Sequence, residues 1–217
     1  MKLLLTSAGL VNQPIIDALA DLVQKPFKTI NLAFIPTAAN VEPGGKEWLI
    51  DDLYNCKKLQ FKQVDIVDIS AVAKNIWQPR LEQADILFFG GGNAHYLMKQ
   101  IEKSGLKNLL MSWLKTKIYL GLSAGSIIAC HQRSDKYSAH FFGEPNHDEK
   151  YKCLGLVNFQ IIPHLNSDYF PNVRLPRITQ IAPEMKTPVY ALDDNSAVKV
   201  DSDKIEVIST GQWQKFN

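Results

Sequence analysis

The chain has 217 residues, of which 46% are hydrophobic and 21% charged, values typical of one soluble α/β domain, here expected to span residues 1–217. A net charge of +2 gives no electrostatic reason to expect nucleic acid, and apolar runs of about five residues are far shorter than a membrane span. Three scattered cysteines, Cys56, Cys130 and Cys153, favour reduced thiols in a cytoplasmic protein and have no zinc-binding spacing.

Short apolar runs alternate with helical patterns through the first half of the chain. Strands are predicted at residues 3–6, 31–35, 61–67 and 86–89, and helices around Pro14 and at residues 46–59, 94–104 and 106–115. Strands separated by helices indicate βαβ units and therefore a mainly parallel sheet.

The second half begins with a short strand at residues 119–122. Residues 132–152 form the least regular stretch and are predicted to be a functional or mobile loop. Beyond it we predict strands at residues 158–162, 188–192, 196–200 and 204–209, and a helix near residues 178–181. The last two strands are joined by a short polar turn, as in a hairpin. The predicted fold class is α/β, with a mainly parallel sheet flanked by helices on both faces and a C-terminal β-hairpin.

A nucleophile-elbow pattern, G-x-S-x-G, follows the strand at residues 119–122. Gly121 and Gly125 flank Ser123, where a sharp strand-to-helix turn would expose the serine hydroxyl and leave no room for neighbouring side chains. A helix that begins at Ala124 would direct backbone N–H groups at an oxyanion beside Ser123. The pattern therefore predicts a nucleophilic serine, although a tight turn without chemistry would give the same five residues.

A glycine triplet after the strand at residues 86–89 is the second sign of chemistry. The spacing of Gly90, Gly91 and Gly92 does not fit a nucleotide-binding loop, and no Lys-Ser/Thr pair follows. We predict instead that the N–H of Gly91 or Gly92 completes an oxyanion hole with the N–H of Ala124. Asn93, directly after the triplet, is a candidate for contact with substrate.

Ser123 needs a base, and five histidines are available. His164 is the preferred candidate, because it follows a predicted strand and so lies at the carboxyl edge of a sheet, where α/β sites form. The alternatives are His95, at the start of a helix, and three histidines in or beside the irregular stretch: His131, His140 and His147.

The acid that would orient the base is the least determined member of the site. Elbow enzymes usually have the chain order serine, acid, histidine, and four carboxylates lie between Ser123 and His164. They are Asp135, Glu144, Asp148 and Glu149. Asp135 is preferred because it lies nearest to the elbow helix.

Taken together and in order, these motifs resemble peptidase family S51, which comprises dipeptidase E and the cyanophycinases on a fold similar to class I glutamine amidotransferases. The resemblance rests on five segments: Leu5-Thr6-Ser7, residues 34–38, residues 89–93, residues 121–126 and Pro163-His164. It implies that Ser123 is the nucleophile, that His164 is the base, and that the glycine triplet and Ala124 form the oxyanion hole.

The resemblance also implies a substrate. Dipeptidase E carries an arginine after its catalytic histidine, and Arg174 or Arg177 falls at a similar place, where a guanidinium fork would suit the side chain of an N-terminal aspartate. The expected protein is a cytoplasmic serine peptidase of small peptides, monomeric or homodimeric, that needs no cofactor or metal. An esterase or another amide hydrolase on the same elbow, and an inactive ligand-binding domain, are the alternatives.

Overall fold

A computed structural model describes residues 1–143 and 150–217, and twelve strands lie within these residues. The strands are β1 (Lys2–Thr6), β2 (Asn31–Ile35), β3 (Gln63–Ile66), β4 (Ile86–Phe89), β5 (Ile118–Leu122), β6 (Gln132–Ser134), β7 (Lys150–Lys152), β8 (Gln160–Ile162), β9 (Val189–Leu192), β10 (Ser196–Asp201), β11 (Lys204–Ser209) and β12 (Trp213–Phe216). They form sheets of seven, three and two strands.

The large sheet has the strand order β11-β10-β1-β5-β4-β2-β3. Its strands β1 to β5 run parallel to one another, and β10 pairs antiparallel with both β1 and β11. The mainly parallel sheet and the C-terminal hairpin predicted from the sequence are therefore confirmed. Because β5 lies between β1 and β4, the carboxyl end of β5 has the loops after β1 and β4 on either side of it.

Eight α-helices are found within the described residues. They are α1 (Gln13–Val23), α2 (Glu47–Lys58), α3 (Lys74–Gln83), α4 (Ala94–Ser104), α5 (Lys107–Trp113), α6 (Ala124–Ile127), α7 (Asp135–Phe142) and α8 (Leu175–Ile181). Three short 3-10 segments accompany them: Phe27–Thr29, Thr37–Val41 and Ala182–Glu184. The first helix begins as its sequence predicts, because Asn12 Oδ1 accepts a hydrogen bond from Ile15 N and Pro14 occupies the first turn.

Both faces of the large sheet are buried under helices. Successive residues of β1 point to opposite faces: Leu4 packs in a cluster with Ile15 and Leu19 of α1, and Leu5 packs in another with Trp77 of α3 and helices α4 to α6. Strands buried on both sides read as continuous apolar runs, which explains why Ile86–Phe89 is recognisable in the sequence.

A smaller sheet with the order β12-β9-β8 packs beside the large one. Strands β8 and β9 run parallel, with Ile162 opposite Ala191, and β12 pairs antiparallel with β9. The carboxyl ends of β8 and β9 therefore lie next to each other. His164 follows the first strand and Asp194 follows the second, so the topology brings these two residues together.

The irregular stretch predicted at residues 132–152 is partly wrong. It contains the strand pair β6 and β7 and the helix α7, while residues 144–149 lie outside the described part of the chain. Helix α3 and strand β12 are further elements that the sequence analysis did not identify. No helix within the described residues combines the length and apolar character needed to cross a membrane.

Candidate active site

Ser123 lies on a strained turn between β5 and α6. Its φ of 46° and ψ of −103° fall in a region that residues with a side chain rarely adopt. A Cβ on Gly125 would lie 2.1 Å from the Phe89 carbonyl oxygen, and one on Gly121 would lie 2.8 Å from the Gly125 carbonyl carbon. The two glycines of the pattern are therefore required by close backbone approach, as in a nucleophile elbow.

Thr6, at the end of β1, holds this turn in place. Its carbonyl oxygen accepts hydrogen bonds from Ser123 N at 3.1 Å and from Ser126 Oγ at 2.7 Å. Its hydroxyl donates to the Gly121 carbonyl at 2.8 Å and accepts from Gly9 N at 2.9 Å. Buried hydrogen bonds on both sides of Ser123 oppose relaxation of the strained backbone, so the serine stays half-buried at the edge of the sheet.

His164 meets Ser123 at this edge, as the sequence predicts. The ring Nε2 lies 2.8 Å from Ser123 Oγ, and the residue has a left-handed backbone with a φ of 64°. Phe170 stacks on the imidazole, with ring centroids 4.2 Å apart and an interplanar angle of 13°. The side chain is largely buried, so its orientation is restricted by packing as well as by hydrogen bonds.

The other ring nitrogen of His164 contacts Asp194. The distance from Nδ1 to Asp194 Oδ1 is 2.6 Å, which fits a proton on Nδ1 that is donated to the carboxylate. The choice of Asp135 for this position is corrected by that contact. Asp135 is the first residue of α7, in a different element, and Glu144, Asp148 and Glu149 lie outside the described residues.

A local signal for Asp194 does exist in the sequence. Asp193 and Asp194 come directly after the predicted strand at residues 188–192, just as His164 follows the strand at residues 158–162. Parallel strands bring their carboxyl ends to one edge, so a carboxylate there can reach the imidazole. The usual order of serine, acid and histidine indicates a segment before His164, whereas the carboxylate in contact with His164 follows it in the chain.

Ser7 links His164 to Asp194. Its hydroxyl accepts a hydrogen bond from His164 N at 2.8 Å and donates to Asp194 Oδ1 at 3.1 Å. Burial alone would raise the pKa of Asp194, but hydrogen bonds from His164, Ser167 and Ser7 outweigh it and hold that pKa below its usual value. Asp194 is therefore ionised at neutral pH.

The glycine triplet lies beside the elbow. A Cβ placed on Gly91 would lie 3.7 Å from Ser123 Cβ, and Gly92 has a φ of +120° with the Ala38 carbonyl oxygen 2.4 Å from its own Cβ position. Among the described residues, none accepts a hydrogen bond from the backbone N–H of Gly91, Gly92 or Ala124. These amides are accordingly available to an oxygen atom near Ser123.

The three predicted substrate contacts differ in what they already bind. Asn93 is the N-cap of α4, where its Oδ1 accepts from Tyr96 N at 2.8 Å. Arg177 Nε donates to His140 Nε2 at 2.6 Å, and its Nη1 donates to Asn172 Oδ1 at 2.7 Å. The two arginines therefore have different roles in the fold, since Arg177 joins α8 to α7 and Arg174 braces the preceding loop.

Arg174 uses a single nitrogen for that loop. Its Nη1 lies within 3.2 Å of the carbonyl oxygens of Ser167, Phe170 and Val173. Within the described chain, no hydrogen bond from its Nε or Nη2 is found. The same loop carries Phe170, which stacks on His164, so one half of the guanidinium remains available on a segment that packs against the base.

Comparison with known proteins shows which family this chain matches. The family model for peptidase family S51 matches residues 3–208. Peptidase E of Streptomyces coelicolor is 30% identical over 131 residues, which cover 58% of this chain and about half, 52%, of that relative. An uncharacterised peptidase of Listeria monocytogenes, Lmo0363, is 23% identical over 77% of this chain and 80% of its own length.

Solved structures show the same fold. A crystal structure of a candidate peptidase E protein from Listeria monocytogenes EGD-e has a TM-score of 0.79 at 20% identity, and covers 97% of this chain and 98% of that one. The structure of a peptidase from an acI-B1 actinobacterium has a TM-score of 0.71 at 18% identity, over 99% and 93% of the two chains.

A parallel sheet with a strained serine elbow and an adjacent histidine defines a serine-type hydrolase of the α/β class. The family match covers nearly the whole chain and narrows that class to one family. The chain belongs to peptidase family S51, and the resemblance seen in its motifs is confirmed.

Proposed function

We propose that this protein is a serine peptidase that hydrolyses short peptides, in particular dipeptides with an N-terminal aspartate, through Ser123, His164 and Asp194. The observation that carries the proposal is the unbroken contact from Ser123 Oγ to His164 Nε2 at 2.8 Å and from His164 Nδ1 to Asp194 Oδ1 at 2.6 Å. A serine hydroxyl is a weak nucleophile at neutral pH, and this contact supplies both a base and a group that orients the base.

In the first half of the reaction, Ser123 Oγ attacks the carbonyl carbon of the scissile peptide bond while His164 Nε2 takes the hydroxyl proton. Asp194 accepts the Nδ1–H hydrogen bond and stabilises the imidazolium that forms. His164 then gives the proton to the departing amine as the C–N bond breaks. In the second half, the same base activates water, which attacks the acyl-Ser123 ester and releases the first amino acid.

The developing negative charge on the carbonyl oxygen would be stabilised by backbone amides. Ala124 N–H and the N–H of Gly91 or Gly92 lie on two sides of Ser123, and no described residue accepts from them. Fixed donors that meet the oxyanion in the transition state lower the barrier without reorganisation.

Arg174 is our candidate for the acidic side chain of the substrate. A guanidinium binds a carboxylate best through two parallel N–H donors, and Nε and Nη2 of Arg174 form such a pair. Arg177 is less suited, since His140 and Asn172 already occupy its Nε and Nη1. The proposal is also consistent with the peptidase E names of the relatives.

The test compares wild type with Ser123→Ala, using aspartyl-leucine hydrolysis and labelling by a fluorophosphonate. Both signals should disappear in Ser123→Ala and persist in Ser112→Ala, a matched change on the exposed face of α5. Turnover of small esters without any peptide cleavage would replace the peptidase by an esterase. A folded wild-type protein that is neither labelled nor active would make the site a binding site only.

A further inference from the structure

Asp52, in the middle of α2, is a carboxyl group that the proposed reaction does not use. Its Oδ1 lies 3.3 Å from the position that a Cβ would take on Gly9, and that position lies 2.8 Å from Leu122 Cδ1. Gly9 belongs to the loop after β1, and Leu122 immediately precedes Ser123. The Asp52 carboxyl group therefore lies at the C-terminal ends of the parallel strands, close to the side chain of Leu122, which precedes Ser123.

Trp48 extends the same surface toward Ser123. It precedes Asp52 by four residues, so the two side chains lie on one face of α2. Trp48 Cζ3 is 3.8 Å from the Cβ position of Gly91, which in turn is 3.7 Å from Ser123 Cβ. Because Gly9 and Gly91 carry no side chains, Asp52 and Trp48 can approach the elbow closely, and the Leu122 side chain packs below them.

The charge of Asp52 is not balanced by the protein. No residue in the described part of the chain donates a hydrogen bond to this carboxyl or forms an ion pair with it. Burial raises its pKa to about 7, and the neighbouring charge of Asp51 adds to the effect. A partly buried carboxylate without a partner is costly, so a cation that enters this space gains from neutralising it.

The neighbouring side chain fits a cation as well. An indole ring attracts ammonium groups through its electron-rich face, and Trp48 is 37% exposed on the same face of α2. An aromatic ring one helical turn from an unpaired carboxylate therefore provides two kinds of attraction for one positive group. A neutral amide would gain less from both of them than an ammonium group.

We propose that Asp52 and Trp48 bind the α-ammonium group of the peptide substrate and thereby restrict cleavage to the bond after the first residue. This inference rests on the proposed peptidase function. In a dipeptide the α-nitrogen is attached to the carbon next to the attacked carbonyl, so its binding group must lie close to Ser123, on a wall of the same cleft. Trp48 lies over Gly91 beside Ser123, and Asp52 lies one helical turn further along the same face of α2, so Arg174 is left for the side chain.

The experiment measures kcat/KM for aspartyl-leucine and for N-acetyl-aspartyl-leucine, which lacks the positive charge. Wild type should prefer the free amine by about 10- to 100-fold, the value of one charge-assisted hydrogen bond. In Asp52→Asn that ratio should fall to near one. Asp51→Asn, which removes the adjacent exposed charge, is the matched control and should keep the wild-type ratio.

Several outcomes would overturn the inference. Equal cleavage of the two peptides by wild type removes it without any variant, and so does an undiminished ratio in Asp52→Asn. Fluorophosphonate labelling of each sample reports whether Ser123 is still reactive. A wild type that is labelled and cleaves both peptides equally loses only the ammonium site, whereas one that is neither labelled nor active loses the peptidase proposal as well.

Discussion

Two carboxyl groups beside the elbow, Asp194 and Asp52, are both partly withdrawn from water, yet their pKa values move in opposite directions. Burial would raise the pKa of Asp194, but hydrogen bonds from His164, Ser167 and Ser7 hold it below the usual value. Burial raises the pKa of Asp52 to about 7, and no donor in the described residues opposes it. The supply of hydrogen-bond donors, rather than burial, decides which group keeps its charge.

The difference suits two different tasks. Asp194 is ionised before substrate arrives, as a group must be that stabilises an imidazolium formed during the reaction. The pKa of Asp52 lies near neutral pH, so the group becomes fully charged only when a cation binds beside it. Asp194, which accepts hydrogen bonds from the protein, interacts with His164, whereas Asp52, which accepts none among the described residues, can interact with a ligand.

The largest expected effect comes from removing the charge of Asp194. Asp194→Asn should lower kcat about 10³- to 10⁴-fold, because an amide can neither stabilise the imidazolium nor fix the tautomer that leaves Nε2 free to accept. Steady-state hydrolysis of aspartyl-leucine measures this loss. The kcat of Asp135→Asn should stay near that of wild type. The opposite ranking of the two variants would make Asp135, and not Asp194, the residue that orients His164.

A smaller effect is expected when one donor to Asp194 is deleted. Ser7→Ala removes a hydroxyl that donates to the Asp194 carboxylate and accepts from His164 N, so kcat should fall about tenfold. Ser167→Ala is the matched change, since it removes a donor to the same carboxyl without touching the His164 backbone amide. Equal losses in the two variants would mean that the bond from Ser7 to the His164 amide does not matter.

The smallest expected effect concerns stability at alkaline pH. The pKa of Asp52 is about 7 in the folded protein and near 3.8 in the unfolded chain. Between pH 3.8 and pH 7 the folded protein therefore keeps a proton on Asp52 that the unfolded chain has released. Stability is therefore lost as pH rises through that window, and the full penalty is present above pH 7. Asp51 and the Cys56 thiol, the titratable groups that interact with Asp52, do not reverse this sign.

Asp52→Asn removes that penalty because the amide is neutral at every pH. Its melting temperature should exceed that of wild type by on the order of a few degrees at pH 8, and the gain should shrink as pH falls toward 4. Thermal unfolding at several pH values measures the difference. A variant that melts below wild type at pH 8 would show that the carboxylate has a stabilising partner.

The positions of Ser123 and His164 were predictable because their signals are local. At Gly121 and Gly125 a side chain would clash with backbone near Ser123 or with the adjacent strand β4, so both positions must be glycine. The five-residue pattern in the sequence reflects this requirement. His164 lies two residues after a mainly apolar strand, so its place at a sheet edge follows from the chain alone.

Asp194 could not be chosen from chain order. Its contact with His164 depends on β8 and β9 pairing in parallel, a pairing between segments about thirty residues apart that no local pattern specifies. Helix α3 was hidden for a different reason, since Pro79 lies inside it and its residues are mostly polar. Strand β12, Trp213–Phe216, has two exposed polar residues between its aromatic ends and lacks the apolar run that identifies a buried strand.

Ser123 and its two neighbours, His164 and Asp194, belong to different sheets. Ser123 follows a strand of the large sheet, whereas His164 and Asp194 follow strands of the small one, whose outer strand is the final segment β12. Gln212, the residue before β12, also holds the turn before Asp194, because its carbonyl oxygen accepts a hydrogen bond from Asp193 N at 3.0 Å. A substitution that loosens β12 is therefore expected to slow turnover at a distance, by shifting the turn that carries Asp194.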